Sequence, residues 1–168
     1  YPFGLSNKNH SSILYKAFYK DILFHFNNSF SKDYIKNKLF ENYGVKSKKF
    51  KLKKTKLNLK KFDDLKINDD ICFFKIDVEG LDHLVIYGMK AYINKYFPVI
   101  LVEYNHSNFE KIYEFLQKNY DCFFYDFLKN KLHKLNVSEI DKLKSGKIIE
   151  NIFKKNIVNI FFKKKINY

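Results

Sequence analysis

The sequence predicts an α/β fold: a doubly wound, mostly parallel sheet joined by crossover helices, with an antiparallel hairpin added late. Two stretches and one order of elements carry that prediction. Phe73 to Gly80 reads FFKIDVEG, an apolar run that ends in alternating acids, and Pro98 to Asn105 reads PVILVEYN, a second apolar run that also ends in an acid. Short, unbroken apolar runs of this kind mark parallel strands buried on both faces. Strand and helix signals then alternate along the chain, which implies parallel neighbours linked by crossovers. In open α/β sheets ligands bind beyond the carboxyl ends of the strands. Asp77, Glu79 and Glu103 would sit at that edge.

The elements follow in order. Tyr1 to Leu5 resembles the end of a strand already under way, and the chain opens without an initiator Met, so a preceding N-terminal part is expected. YPFGLSNKN reads as a strand end running into a turn, and SILYKAFY and DILFHF as short strands. From Tyr34 to Lys61 lysine dominates. There KFKLKKTKLNLKKF alternates apolar residues with Lys at Phe50, Leu52, Leu57 and Leu59, which fits either an exposed edge strand or a basic loop. FDDL, from Phe62 to Leu65, makes a short helical turn before a strand over Ile71 to Ile76. Gly80 then starts a helix whose apolar positions, Leu84, Val85, Met89, Tyr92, Ile93 and Tyr96, keep helical spacing until Pro98, so it ends near Lys95. A strand over Val99 to Tyr104 follows, and a second helix capped at Ser107 or Asn108 and closed by Asn119. DCFFYDFL and KNKLHKL form a hairpin. Ser138 to Lys155 is helical with an interruption at Ser145 and Gly146, and NIVNIFF is the last strand.

With 168 residues and 46% hydrophobic content, the chain can bury one ordinary core, so residues 1–168 are expected to form a single domain. The formal charge of +14 comes entirely from lysine, since none of the 32 basic residues is Arg. Lysine attracts polyanions but lacks the planar fork that reads phosphate or guanine bidentately. No specific nucleic-acid partner is therefore expected, and a basic nucleic-acid-binding module is the third of three readings. Cys72 and Cys122 form no CxxC pair and each lies in an apolar run, which predicts buried free thiols. No apolar run approaches the roughly 18 residues of a membrane span, and no signal sequence opens the chain. A cytoplasmic location is the expectation.

The acids at the strand ends carry the chemistry. Asp77 can take or orient a proton on a bound hydroxyl, or it can cap the following helix. Glu79 can face an acceptor, share a cation with Asp77, or favour the positive end of the helix. Glu103 can bind the acceptor or hold a neighbouring residue in place. Lys75 points into or across the sheet, where a buried ammonium needs a carboxylate. His106 lies just past Glu103, as a base, a ligand or a plain loop residue. It and the separate His10 and His83 show no HxH or HxxxH spacing, so no metal is expected.

Taken in order, LSNKN, FDDL, KIDVEG, VIYGMK, PVILVE and NIFF make the chain resemble the FkbM-type methyltransferases, which use S-adenosylmethionine. The family pattern LDxL, IKIDVEGxE, VLxGA and PxxLxE falls on Asp64, Lys75 to Gly80, Gly88, Pro98 and Glu103. Asp82 stands where the family has Glu, Met89 where it has Ala, and Asn7 where an Asp follows LS. The family's glycine-rich strand-turn-helix is missing, since Gly4, Gly44, Gly80, Gly88 and Gly146 form no GxG. The chain thus resembles the carboxyl-terminal portion of such an enzyme. The resemblance implies a class I methyltransferase-like, Rossmann-like sheet with S-adenosylmethionine as cofactor. It makes Asp77 and Glu79 catalytic, Asp77 and Asn7 cofactor-binding, and Glu103 and His106 substrate-binding. The reaction it implies is O-methylation of a sugar, glycan or secondary-metabolite hydroxyl. The alternative is a non-catalytic or degenerate fragment that acts as a partner protein.

Overall fold

The computed structural model describes residues 2–19, 21–24, 28–43, 50–78, 80–126, 129–146 and 159–166. Expectations about Tyr1, Gly44, Glu79 and residues 147–158 therefore lie outside the described residues. The fold is mixed α/β on two sheets. In chain order the first sheet takes β1 (Gly4–Leu5), β2 (His10–Tyr19), β3 (Ile22–Leu23) and, after helix α1 (Lys32–Tyr43), β4 (Lys51–Lys60). A 3-10 turn at Phe62–Leu65 leads to the second part: β5 (Phe73–Ile76), α2 (Asp82–Gly88), α3 (Lys90–Tyr96), β6 (Val99–Glu103), α4 (His106–Leu116), β7 (Tyr120–Asp126), β8 (Lys131–Lys134), α5 (Val137–Lys144) and β9 (Asn159–Lys164).

The five-stranded sheet has the order β5-β6-β9-β7-β8. The parallel pairs are β5–β6 here and β1–β4 in the first sheet, and the other pairs are antiparallel. This corrects the expectation of a mostly parallel sheet. Strands β5, β6 and β7 do run the same way, but β9 inserts between β6 and β7 in the opposite sense and converts what would be a parallel contact into two antiparallel ones. The late hairpin, β7 with β8, is as expected.

Among the described residues strand β5 lies at the edge of this sheet, and its face carrying Phe73 and Lys75 is uncovered. Phe73 is 45% exposed and Cys72 is exposed, whereas Cys122, inside β7, is buried. The buried-strand reading thus fails for β5, and the buried-thiol reading fails for Cys72. In the first sheet β4 is not an edge strand. It pairs with β2 through nine consecutive residues from His10↔Leu59 to Phe18↔Lys51, while Gly4 and Leu5 of β1 pair on its other side with Leu59 and Lys60.

The expected helix from Gly80 to Lys95 is two helices. α2 stops at Gly88, and α3 restarts under a cap supplied from far back in the chain, where Asp63 accepts hydrogen bonds from the Ala91 and Tyr92 amides at 2.9 and 3.0 Å. Two bonds to a carboxylate satisfy donors that a helix start leaves free. The break also serves packing. A Cβ on Gly88 would lie 2.1 Å from the Ser6 carbonyl oxygen, so only glycine lets the segment after β1 rest on the helix end. α4 is capped by Asn105, whose side chain accepts from the Ser107 amide, rather than by Ser107 or Asn108, and it ends at Leu116 before Asn119. The main core gathers side chains from the 3-10 turn, β5, α2, α3, β6, α4, β7, α5 and β9, with Phe109, Ile112, Ile160 and Phe162 fully buried.

Candidate functional site

The parallel pair β5–β6 brings Ile76 beside Val102, so Asp77 and Glu103 leave the sheet at neighbouring strand ends. Each crossover then turns immediately into a helix, β5 into α2 and β6 into α4, and these two helices pack on one another. The turn after β5 needs glycine, because Gly80 holds φ at 85°, where a side chain is strained. A Cβ there would also come within 3.2 Å of the Asn105 side-chain nitrogen, so the two crossovers touch.

Asp77 is exposed, and its Oδ2 accepts a 2.7 Å hydrogen bond from the Lys75 ammonium. Lys75 is also exposed at its side chain, 55%, which corrects the expectation that it points into the sheet. The hydrogen bond and then the charge of Asp77 push the Lys75 ammonium above its ordinary range. The Glu103 carboxyl is pushed above the usual carboxylate range, first by partial burial and then by the charges of Asp77 and Asp82, with Lys75 opposing. His106 opens α4 as its first residue, with its ring against Gly146 at the end of α5. Glu79 is outside the described residues.

Asn7 stands apart from this cluster in sequence but borders a related space. It follows β1, and its side-chain oxygen accepts from the Ser6 hydroxyl at 3.4 Å. The LSNKN segment is fastened to FDDL: Asn9 donates to Asp64 at 2.7 Å and accepts from the Lys61 amide at 2.8 Å. Between the first sheet and α2 lies a cleft of about 350 Å³, mainly apolar, with Leu5, Asn7, Leu57, Leu59, Val78 and Leu81 in its wall. Val78 directly follows Asp77, so the cleft and the strand tips share a border.

Two further residues complete the arrangement that sequence reading missed. Asp82 and Asn108 are each only 1% exposed. The Asn108 side-chain amide donates to Asp82 Oδ2 at 3.2 Å, and the Val78 amide donates to Asp82 Oδ1 at 3.2 Å. In the sequence Asp82 is an acid in a first helical turn, where exposure is the rule. Its place four residues after Val78, across a turn that contains glycine, is the one local sign of another role. Among the described residues no three of His, Cys, Asp and Glu come together as a metal site. Among them, too, no helix is long and apolar enough to cross a membrane.

Residues 5–124 match the model of the methyltransferase FkbM domain. That span runs from β1 into β7 and includes Asn7, both strand tips and the paired helices α2 and α4. No curated protein and no solved structure matches the chain.

Proposed function

This chain belongs to the FkbM methyltransferase family, and from that premise we propose that the strand tips of β5 and β6 serve S-adenosylmethionine-dependent methyl transfer to a hydroxyl of a sugar, glycan or secondary metabolite. The observation that carries the reading is the pair of neighbouring parallel strand ends with Asp77 and Glu103, beside a cleft that includes Asn7. In this reading the five-stranded sheet is one flank of a doubly wound, Rossmann-like sheet.

The residues fit the cofactor's chemistry. The cleft has apolar walls for an aromatic base and the Asn7 carboxamide for polar groups, and the exposed Asp77 carboxylate suits a cationic ligand. Asn7 and Asp77 would hold it. When bound, S-adenosylmethionine supplies a methyl group activated by a sulfonium. The chain's own residues do the rest. Lys75 occupies Asp77 Oδ2 and fixes the carboxylate, leaving Oδ1 to accept the proton of an acceptor hydroxyl as that oxygen attacks. Glu103, with its raised proton affinity, hydrogen-bonds the acceptor from the adjacent strand, and His106, whose ring lies against Gly146, is a further acceptor contact on the family resemblance alone. Glu79 takes the second catalytic role, on the strength of the family pattern alone. Orienting donor and acceptor while excluding water supplies much of the rate of such a displacement.

The test uses the full-length protein. Calorimetry should show S-adenosylmethionine binding, and a labelled-methyl assay against a panel of sugar and polyketide hydroxyls should show transfer that Asp77→Asn abolishes without shifting the melting temperature. Full transfer by that variant sinks the role of Asp77.

A further inference from the structure

The pair Asp82 and Asn108 has no part in the methyl-transfer chemistry, yet it is the most deeply buried polar contact beside the strand tips. Charged residues are almost never fully buried without a partner, and a carboxylate withdrawn from water is costly unless its oxygens are well bonded. Asp82 has no lysine within ion-pair distance among the described residues. It relies on two neutral donors, the Val78 amide and the Asn108 side chain. Asn108 in turn leaves its own Oδ1 buried with no hydrogen bond. As packing this is poor, because a buried carboxylate without a counter-charge and an amide oxygen without a donor each carry a desolvation cost. Stability therefore does not explain it.

Position does. Val78 is the residue after Asp77, and its amide is held by a carboxylate on the first turn of α2. That carboxylate is held by the first turn of α4, which begins three residues after Glu103. The backbone at Gly80 also runs close to Asn105, since a Cβ added there would come within 3.2 Å of the Asn105 side-chain nitrogen. We infer that Asp82 and Asn108 are positioning residues that lock the turn behind Asp77 to the start of α4 and so fix the spacing between the Asp77 and Glu103 carboxylates. The inference rests on the reading that those two carboxylates face the acceptor. The charge of Asp82 also bears on Glu103, together with Asp77 and against Lys75, so its removal has an electrical signature as well as a mechanical one.

The experiment is NMR on the full-length protein, with amide exchange read at Val78 and carboxyl ¹³C titration read at Glu103, for wild type, Asp82→Asn and Asn108→Ala. In wild type the Val78 amide should be protected. Each variant should speed its exchange at least about fivefold relative to the Phe162 amide in β9, because charge-assisted hydrogen bonds are the stronger kind. Asp82→Asn should also lower the Glu103 midpoint toward the ordinary carboxylate value, whereas Asn108→Ala, which keeps the charge, should not. A purely structural role predicts a lower melting temperature with the Val78 ratio and the Glu103 midpoint unmoved, and that result overturns the inference. Fast exchange at Val78 in wild type overturns it with no variant needed. Neither readout involves methyl transfer, so a protein that binds no methyl donor would reject the functional reading alone.

Discussion

Among the described residues the five-stranded sheet is backed by twenty buried side chains spread from Phe62 to Phe162, while the four-stranded sheet has beneath it the small cluster of Ala17, Ile35 and Leu39. The long ribbon of β2 and β4 is instead held through its backbone, by nine successive residue pairs, and it uses its two faces differently along its length. Leu57 and Leu59 turn toward the cleft and α2, whereas Leu52, of the opposite parity, packs with Ala17 on α1. A ribbon that twists can serve two clusters in this way, because alternate side chains lie on opposite faces. The lesson is that strand pairing and side-chain burial can be separated. The site's acids stand on the well-buried sheet, and the lysine-rich ribbon forms a wall of the cleft.

The sharpest test of that contrast substitutes the same residue type in each cluster. Leu116→Ala, in α4, should cost about 3–5 kcal/mol, while Leu39→Ala, in α1, just as buried but in the smaller of the two described clusters, should cost about 2–3 kcal/mol. Chemical denaturation checks this, and equal costs would break the comparison. The next largest effect concerns the joint between the two parts. Gly88→Ala puts a methyl group into the Ser6 carbonyl and should cost about 1–3 kcal/mol, with faster amide exchange in β1 and around Ser6 than in β9. Uniform loss of protection across both sheets would show that the joint does not matter specifically.

The smallest effect concerns pH at the strand tips. Glu103 binds its proton more tightly folded than unfolded, so its ionised form costs stability. That cost is absent below the ordinary value of 4.5 and grows as pH rises through the raised folded value. Glu103→Gln should therefore raise the melting temperature slightly at neutral pH, by the equivalent of about a few tenths of a kcal/mol given solvent screening, and leave it unchanged in acid. A gain of equal size at both pH values would refute that origin.

Much of this is legible in the sequence. The apolar runs at β5 and β6, the helical period of Phe109, Ile112 and Leu116, and the β7–β8 hairpin all stand where local pattern places them. So do Asp77 and Glu103 at the strand ends. What stayed hidden depends on distant partners. Whether β5 is buried on both faces depends on what packs over each face of the sheet, so the exposure of Cys72 and Phe73 could not be read from an apolar run. The break between α2 and α3 depends on Asp63, which caps Ala91 and Tyr92 from a turn nearly thirty residues earlier. The burial of Asp82 depends on Asn108, which belongs to a different crossover.

The insertion of β9 between β6 and β7 has a consequence for the order in which the molecule assembles. Leu101 finds its partner in Phe161, sixty positions along the chain, and Cys122 finds Phe162. During synthesis the β5–β6 pair and the β7–β8 hairpin emerge first, each with an open backbone edge. Only the arrival of residues 159–164 zips them into one sheet. Contacts of such long range form slowly, and open edges in the meantime invite pairing with the wrong chain. The β9 segment NIFFKK carries two lysines beside its apolar residues, and that charge works against its pairing with further copies of itself before it docks.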